Sequence, residues 1–163
     1  SVIPGLSATS LAVSLSGLQS YRFGRQVTLP FAYGDYLPTS PLELIDANYR
    51  SDLHTLVLLD LDPTGMGVDQ PQPMSPFQAV ELLQKMAERI AEREGETRDS
   101  MSTPIAQWDS ILLSDLGTPD QRVVSGNLED IAKVEGGRIH CLILPAEFSG
   151  LEHEAYERRK GQR

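Results

Sequence analysis

Leu53-His54-Thr55-Leu56-Val57-Leu58-Leu59-Asp60-Leu61 is the stretch that decides the fold. Its apolar residues run on without alternating with polar ones, so a strand here must be covered on both faces. Residues 62–74 follow with three prolines and two glycines, the composition of a loop. Ser75-Pro76-Phe77-Gln78 then has the layout of a capping box, a hydroxyl cap with an amide three residues on. The helix it opens should reach about Glu94, with Ala79, Leu83, Met86 and Ile90 as its apolar stripe, Val80 reinforcing it, and Glu81 and Lys85 paired on the outer face. Upstream, Ser40-Pro41 signals another helix start, and Leu42, Ile45 and Tyr49 share a face in a helix to about Arg50. Residues 26–29 are a short strand suited to a sheet edge, and the small, apolar residues 7–18 are a helix begun by Ser7 or Thr9 and ended at Gly17.

Downstream, residues 110–114 read as a strand ending near Leu116-Gly117. Val123-Val124 is a very short strand, Ser125-Gly126 a turn, and Asn127 the cap of a short helix to about Lys133. Residues 138–145 form another buried strand and residues 152–159 a terminal helix. Helices and strands alternate throughout, which predicts an α/β domain with a central mixed sheet flanked by helices on both faces.

The 163 residues suffice for one domain with a hydrophobic core. No apolar run approaches the roughly 18 residues that a membrane span needs. The 14 basic and 23 acidic residues leave a net charge of −9, which disfavours nucleic acid as a partner. The one dense basic patch, Arg158-Arg159-Lys160 with Arg163 beyond it, reads as a solvated tail. Cys141 has no second cysteine to pair with, which fits a reducing cytoplasm. Ser1-Val2-Ile3-Pro4-Gly5 has neither a start Met nor a signal-peptide layout, and reads as the middle of a longer chain.

Residue chemistry alone is reticent. His54, His140 and His153 have no metal-ligand spacing with each other or with Cys141, and structural roles are expected of the first two and a surface position of the third. No nucleophile elbow, P-loop or dinucleotide fingerprint occurs. Asp60 and Asp62 leave the strongest strand and are expected to start a loop rather than hold a metal. Ligands of open α/β sheets collect at the carboxyl ends of strands, here Leu59-Asp60, Ser114-Asp115-Leu116-Gly117 and Leu144-Pro145.

Val2-Ile3-Pro4-Gly5-Leu6-Ser7-Ala8-Thr9 resembles the segment that opens the second domain of the tetrapyrrole methylase superfamily. Within that superfamily, three stretches resemble the diphthine synthases. Gly17-Leu18-Gln19-Ser20-Tyr21-Arg22-Phe23-Gly24 is similar to their G-L-x-x-Y-x-F-G segment, the opening strand to their L-H-T-L-x-x-L-D-I, and Leu37-Pro38-Thr39-Ser40 to their P-x-S helix start. The resemblance implies an enzyme of two α/β domains with the cofactor between them. Residues 1–163 would be its C-terminal domain, with the N-terminal domain absent, so that the chain carries half a cleft. It implies cofactor contacts at Ser7 and Ala8, at Leu59, at Ser114 and at His140, and no catalytic side chain or metal. Each has a plainer alternative: Ser7 as a helix cap, Leu59 as core, Ser114 as a turn hydroxyl, His140 as a partner of backbone. Asp115 departs from the family's A-R-x-G stretch, and residues 147–153 from its G-x-L-H ending.

The implied chemistry is methyl transfer from S-adenosyl-L-methionine, leaving S-adenosyl-L-homocysteine, to the amino group of the modified histidine of translation elongation factor 2. A cytoplasmic homodimer is implied as well. Because the sulfonium carbon is already electrophilic, alignment and exclusion of water carry the reaction and no general base need stand out. Two rival assignments are a corrinoid or porphyrinoid methyltransferase domain and a non-catalytic dimerisation or binding module.

Overall fold

The computed structural model describes residues 5, 7–61, 72–94 and 103–160. Val2, Ile3, Pro4 and Leu6 of the opening segment and Arg163 lie outside them, as do residues 62–71, Asp62 included, and 95–102.

The 53–61 stretch forms β2 (Thr55–Leu59) and runs through the interior of a five-stranded sheet. The sheet order is β1-β2-β5-β3-β4, with β1 (Val27–Leu29), β3 (Asp109–Ser114), β4 (Arg122–Asn127) and β5 (His140–Leu144). Among the five strands, β1 and β2 pair in parallel and the remaining strand pairs are antiparallel, so the sheet is mixed as expected, with β1 at one edge. The continuous apolar run has the predicted cause. Val57 and Leu59 face one core, with Leu112 and Leu142, under α2 (Ser40–Arg50), α3 (Pro76–Glu94) and α4 (Leu128–Ile131). Leu56 faces the other, with Ile111, Leu113 and Ile143, under α1 (Ala8–Ser16) and α5 (Gly150–Glu157).

The local signals hold in detail at α3. Gln78 N–H donates to Ser75 Oγ at 3.2 Å, Ser75 N–H to Gln78 Oε1 at 2.9 Å, and Lys85 pairs with Glu81 at 2.8 Å. Asn127 caps α4 by accepting from Asp130 N–H at 2.8 Å, and α1 ends at Gly17 with φ +77°.

Several expectations are corrected. Ser125-Gly126 is no turn: it lies inside the six-residue β4, where Gly126 opposes Ser110 and its carbonyl accepts from Ser110 Oγ. Ladder pairing with β3 overrides the local turn signal. Thr39 holds the N-cap position of α2 without a side-chain capping bond, Ser40 is already helical, and Tyr49 is 55% exposed instead of sharing the buried face with Leu42 and Ile45. Helix α5 starts two residues early, because Glu152 takes the third helical position and accepts from Ser149 N–H. The carboxyl ends divide between two edges: β5 is antiparallel to β2 and β3, so Leu144-Pro145 lies opposite Leu59 and Ser114.

Candidate functional site

The register decides which residues meet. Leu58 pairs with Cys141, Cys141 with Leu113, and His140 with Ser114. The carboxyl ends of β2 and β3 therefore flank the amino end of β5 at one sheet edge. Helix α1 crosses the same edge with small residues, and together they wall a cleft of about 300 Å³. Ala8, Thr9 and Ala12 line it from α1, Leu59 from β2, and Ile139 and His140 from the start of β5. That volume is at the low end of the range of small-molecule sites.

Of the five residues implied by the resemblance, Ala8, Leu59 and His140 line this cleft. Ser114 is 1% exposed and stands behind the wall, with its Oγ hydrogen-bonded to His140 Nδ1 at 2.8 Å. Ser7 precedes Ala8 at the entrance to α1: it is exposed, occupies the N-cap position, and shares a hydrogen bond with Thr9 at 2.8 Å without capping the backbone through its side chain.

His140 is 8% exposed. Burial holds its pKa below the usual histidine value; the Asp115 carboxylate pulls it up and the Arg122 guanidinium down. The ring is therefore neutral at pH 7 and can donate from one nitrogen and accept at the other. Cys141 beside it is pushed up to about 12 by burial, so its thiol contributes an uncharged surface. The cleft is predominantly apolar, with one buried polar ring on its wall, a pattern that suits a flat heteroaromatic ligand with a polar edge.

Asp115, the departure noted above, also lines the cleft, and its carboxylate reaches the backbone just before β5. Its backbone has φ +51°, and its carboxylate accepts from Ile139 N–H at 2.9 Å and from Arg138 N–H at 3.0 Å. The hydrogen bond from Ile139 foremost, opposed by burial and aided by the bond from Arg138, holds the carboxyl below the usual aspartate range. Gly136 and Gly137 follow one another with φ +77° and +79°, and a Cβ on Gly137 would lie 2.8 Å from His140 Cε1. A Gly-Gly pair just before a buried strand is a sequence signal of such close backbone approach.

The remaining chemistry-bearing residues are structural. His54 Nδ1 accepts from Ala146 N–H at 3.0 Å, so Nε2 carries the proton and donates to Glu152 at 2.9 Å. His153 is on the surface, and Asp60 accepts from Leu61 N–H at the loop start. Among the described residues no group of His, Cys, Asp and Glu could hold a metal, and no helix is long and apolar enough to cross a membrane. A second cavity of about 310 Å³, walled by Tyr49, Trp108 and Phe148, lies at the opposite sheet edge and contains none of the five residues.

No family model matches the chain. It is 35% identical over 161 residues to the diphthine synthase of Methanocorpusculum labreanum, covering 98% of this chain and 57% of that protein. It is 32% identical over 157 residues to the diphthine synthase of Methanocella arvoryzae, covering 96% of this chain and 55% of that one. A conserved hypothetical protein of Aeropyrum pernix K1 superimposes with a TM-score of 0.78 at 30% identity, over 99% of this chain and 53% of that chain. A crystal structure of a diphthine synthase shares the fold with a TM-score of 0.75 at 24% identity, over 97% of this chain and 53% of that chain. The chain thus spans a little over half the length of the curated relatives it matches. In sequence the chain is similar to the diphthine synthases over the part of their length that it spans, and it shares the fold of a diphthine synthase crystal structure.

Proposed function

We propose that this chain supplies one half of the S-adenosyl-L-methionine cleft of a methyltransferase acting on the modified histidine, the diphthamide precursor, of translation elongation factor 2. The observation that carries this is the convergence of Ala8, Leu59 and His140 on one cleft, in a chain similar to the diphthine synthases. Strand ends 81 residues apart in sequence (140 − 59) meet there only because β5 lies between β2 and β3.

The cleft fits the adenosine end of such a cofactor better than its charged methionine end. Its walls are mostly apolar, its one buried polar ring is neutral, and it is lined by one acidic side chain, Asp115, and by no basic one among the described residues. The cofactor, when bound, supplies the electrophilic methyl group. The residues of this chain have simpler tasks. Ala8 and Ala12 leave room for a flat group against α1, Leu59 closes its face and excludes water, and His140 meets its polar edge. Such contacts orient the donor, and orientation of reactants can lower a barrier by roughly 7–11 kcal/mol. The methionine end and the acceptor amine fall to the complementary half of the cleft, so the chain by itself is not expected to turn over.

The same proposal includes a cytoplasmic homodimer, supported by apolar side chains left open to solvent, among them Tyr21 at 77% and Leu151 at 74% exposure. Sedimentation equilibrium that finds only monomer at high concentration overturns the dimer.

Calorimetry with S-adenosyl-L-homocysteine tests the cleft. A complete site of micromolar affinity is worth about −8 kcal/mol, and half of that leaves roughly millimolar binding. Ala8→Trp, which fills the cleft, should abolish that binding. A methyl-transfer assay on the partly modified factor should find no activity in the chain alone and partial activity with the complementary domain added. Full turnover by the chain alone, or binding unaffected by Ala8→Trp, overturns the assignment.

A further inference from the structure

We propose that Asp115 is a positioning residue for His140: by gripping the backbone N–H groups of Arg138 and Ile139, it seats the imidazole between Ser114 and Gly137 on the cleft wall. The consequence for a ligand rests on the cleft assignment above, whereas the seating of the ring does not.

Strand β3 ends at Ser114, and the next residue turns into the left-handed region, which aspartate tolerates better than most side chains. That turn sends the Asp115 carboxylate across to the residues just before β5. Oδ1 accepts from Ile139 N–H at 2.9 Å and Arg138 N–H at 3.1 Å, and Oδ2 from Arg138 N–H at 3.0 Å. In return, Asp115 N–H donates to Ile139 O at 2.8 Å. The peptide leading into His140 is thus tied to the end of β3 by both side chain and backbone, one residue beyond the Ser114–His140 pair of the ladder.

The ring itself is confined from two sides. Nδ1 shares a hydrogen bond with Ser114 Oγ, and Gly137 packs so closely against Cε1 that no larger residue fits without displacing the ring. Nε2 makes no hydrogen bond among the described residues and is the nitrogen left for a ligand. The grip on residues 138 and 139 adds to the Ser114–His140 ladder pair and to the Asp115 N–H···Ile139 O bond, and it alone fixes the two peptide N–H groups between Gly137 and the ring.

A role through charge alone makes the opposite forecast for His140. The charged groups facing the ring are Asp115, which raises its proton affinity, and Arg122, which lowers it, with burial the largest influence. Removing only the charge should lower the proton affinity further. Releasing the ring into solvent should raise it towards the ordinary histidine value.

The test compares the wild-type chain with Asp115→Asn, which keeps an acceptor and suits the left-handed region, and Asp115→Gly, which takes that conformation without strain but has no grip. Long-range proton–nitrogen NMR of the histidine rings reads the tautomer and proton affinity of His140, circular dichroism verifies the fold, and S-adenosyl-L-homocysteine titration reads the ligand. Asp115→Asn should keep a single tautomer, with proton affinity at or slightly below wild type and Kd within about threefold of it. Asp115→Gly should show exchanging tautomers and raised proton affinity, with Kd weaker by about tenfold, the effect of losing one hydrogen bond. Should Asp115→Gly not fold, Asp115→Ser is measured with the same expectations. An unchanged tautomer in Asp115→Gly, or a proton affinity lowered as in Asp115→Asn, overturns the proposal. A ring unseated in Asp115→Gly, with no ligand bound even by wild type, upholds the positioning role and refutes the cleft assignment instead.

Discussion

Replacing Glu152 by alanine should be among the most destabilising single changes outside the hydrophobic core. Its carboxylate is 1% exposed yet receives four donors. Oε1 accepts from Gln19 N–H and His54 Nε2–H, both at 2.9 Å; Oε2 accepts from Ser149 N–H at 2.8 Å and Arg22 Nη1–H at 2.5 Å. These partners join the end of α1, the start of β2 and the cap of α5. Two lines of reasoning give the magnitude. Burial alone would raise the carboxyl, but hydrogen bonds, those from Gln19 and Ser149 foremost and that from His54 next, hold it at about 2 against an ordinary 4.5. That difference corresponds to roughly 3 kcal/mol favouring the folded carboxylate. Truncation also leaves buried donors unsatisfied, which costs about 3–5 kcal/mol when a buried pair is broken. In a domain of this size the melting temperature should fall by about 10 °C or more. Arg22→Ala should cost only about 1–2 kcal/mol, because Glu152 keeps its other donors. Urea unfolding followed by circular dichroism supplies the test, with equal m-values as the sign of a simple stability change. A loss below about 1 kcal/mol for Glu152→Ala, or an equal loss for Arg22→Ala, would refute the idea that the carboxylate is the hub of this cluster.

Further expectations follow from the same contacts. Stability should fall with acidification in two stages: His54 and His140, both depressed in the folded state, lose their contribution as the pH drops below 6.5, and Glu152 loses its own between about 4.5 and about 2; a urea midpoint flat from neutrality to acid contradicts this. Cys141, with its thiol at about 12, should resist iodoacetamide at mildly alkaline pH in the native chain and react once the chain is unfolded in urea. Gly24→Ala would place a Cβ 2.4 Å from Asn48 Oδ1, in a side chain already bonded to Arg25 and Thr55, and should cost roughly 2 kcal/mol. Its effect should shrink in an Asn48→Ala background, and full additivity of the two changes in urea melts counts against the contact.

Much of the architecture was legible because it is written in local chemistry. The uninterrupted 53–61 run required cover on both sides, and the structure places Leu56 and Val57 in different cores. Ser75 with Gln78 and Asn127 before its helix declare caps whose partners are three residues away. Long-range pairing was not legible. Ser125-Gly126 has turn chemistry, yet its backbone satisfies β3, and only the partner strand reveals that. The order β1-β2-β5-β3-β4 likewise inserts the last strand between two earlier ones, and with it reverses which end of β5 faces the cleft. A rule about carboxyl ends of strands, applied without strand direction, put Leu144-Pro145 with Leu59.

At the cleft the same divide separates the residues that resemblance located from those that hold them. The resemblance singled out Leu59 and His140, and both line the cleft. It could not do the same for Asp115, because what matters there is a carboxylate reaching back to two peptide N–H groups on another strand. Read as a charge, aspartate where relatives carry arginine counts against binding an acidic partner. Seen in place, the carboxylate accepts from two backbone N–H groups that favour its ionised form, while Asp115 also lines the cleft. Any arginine-like task in this chain must therefore fall to another cation, and Arg122, which also faces His140, is occupied too, donating to the carbonyls of Glu135 and Gly136. Both charged neighbours of the histidine thus hold the backbone around the glycine turn, Arg122 through the carbonyls of residues 135 and 136 and Asp115 through the N–H groups of residues 138 and 139, and the neutral ring is the buried polar group that this wall presents to a ligand.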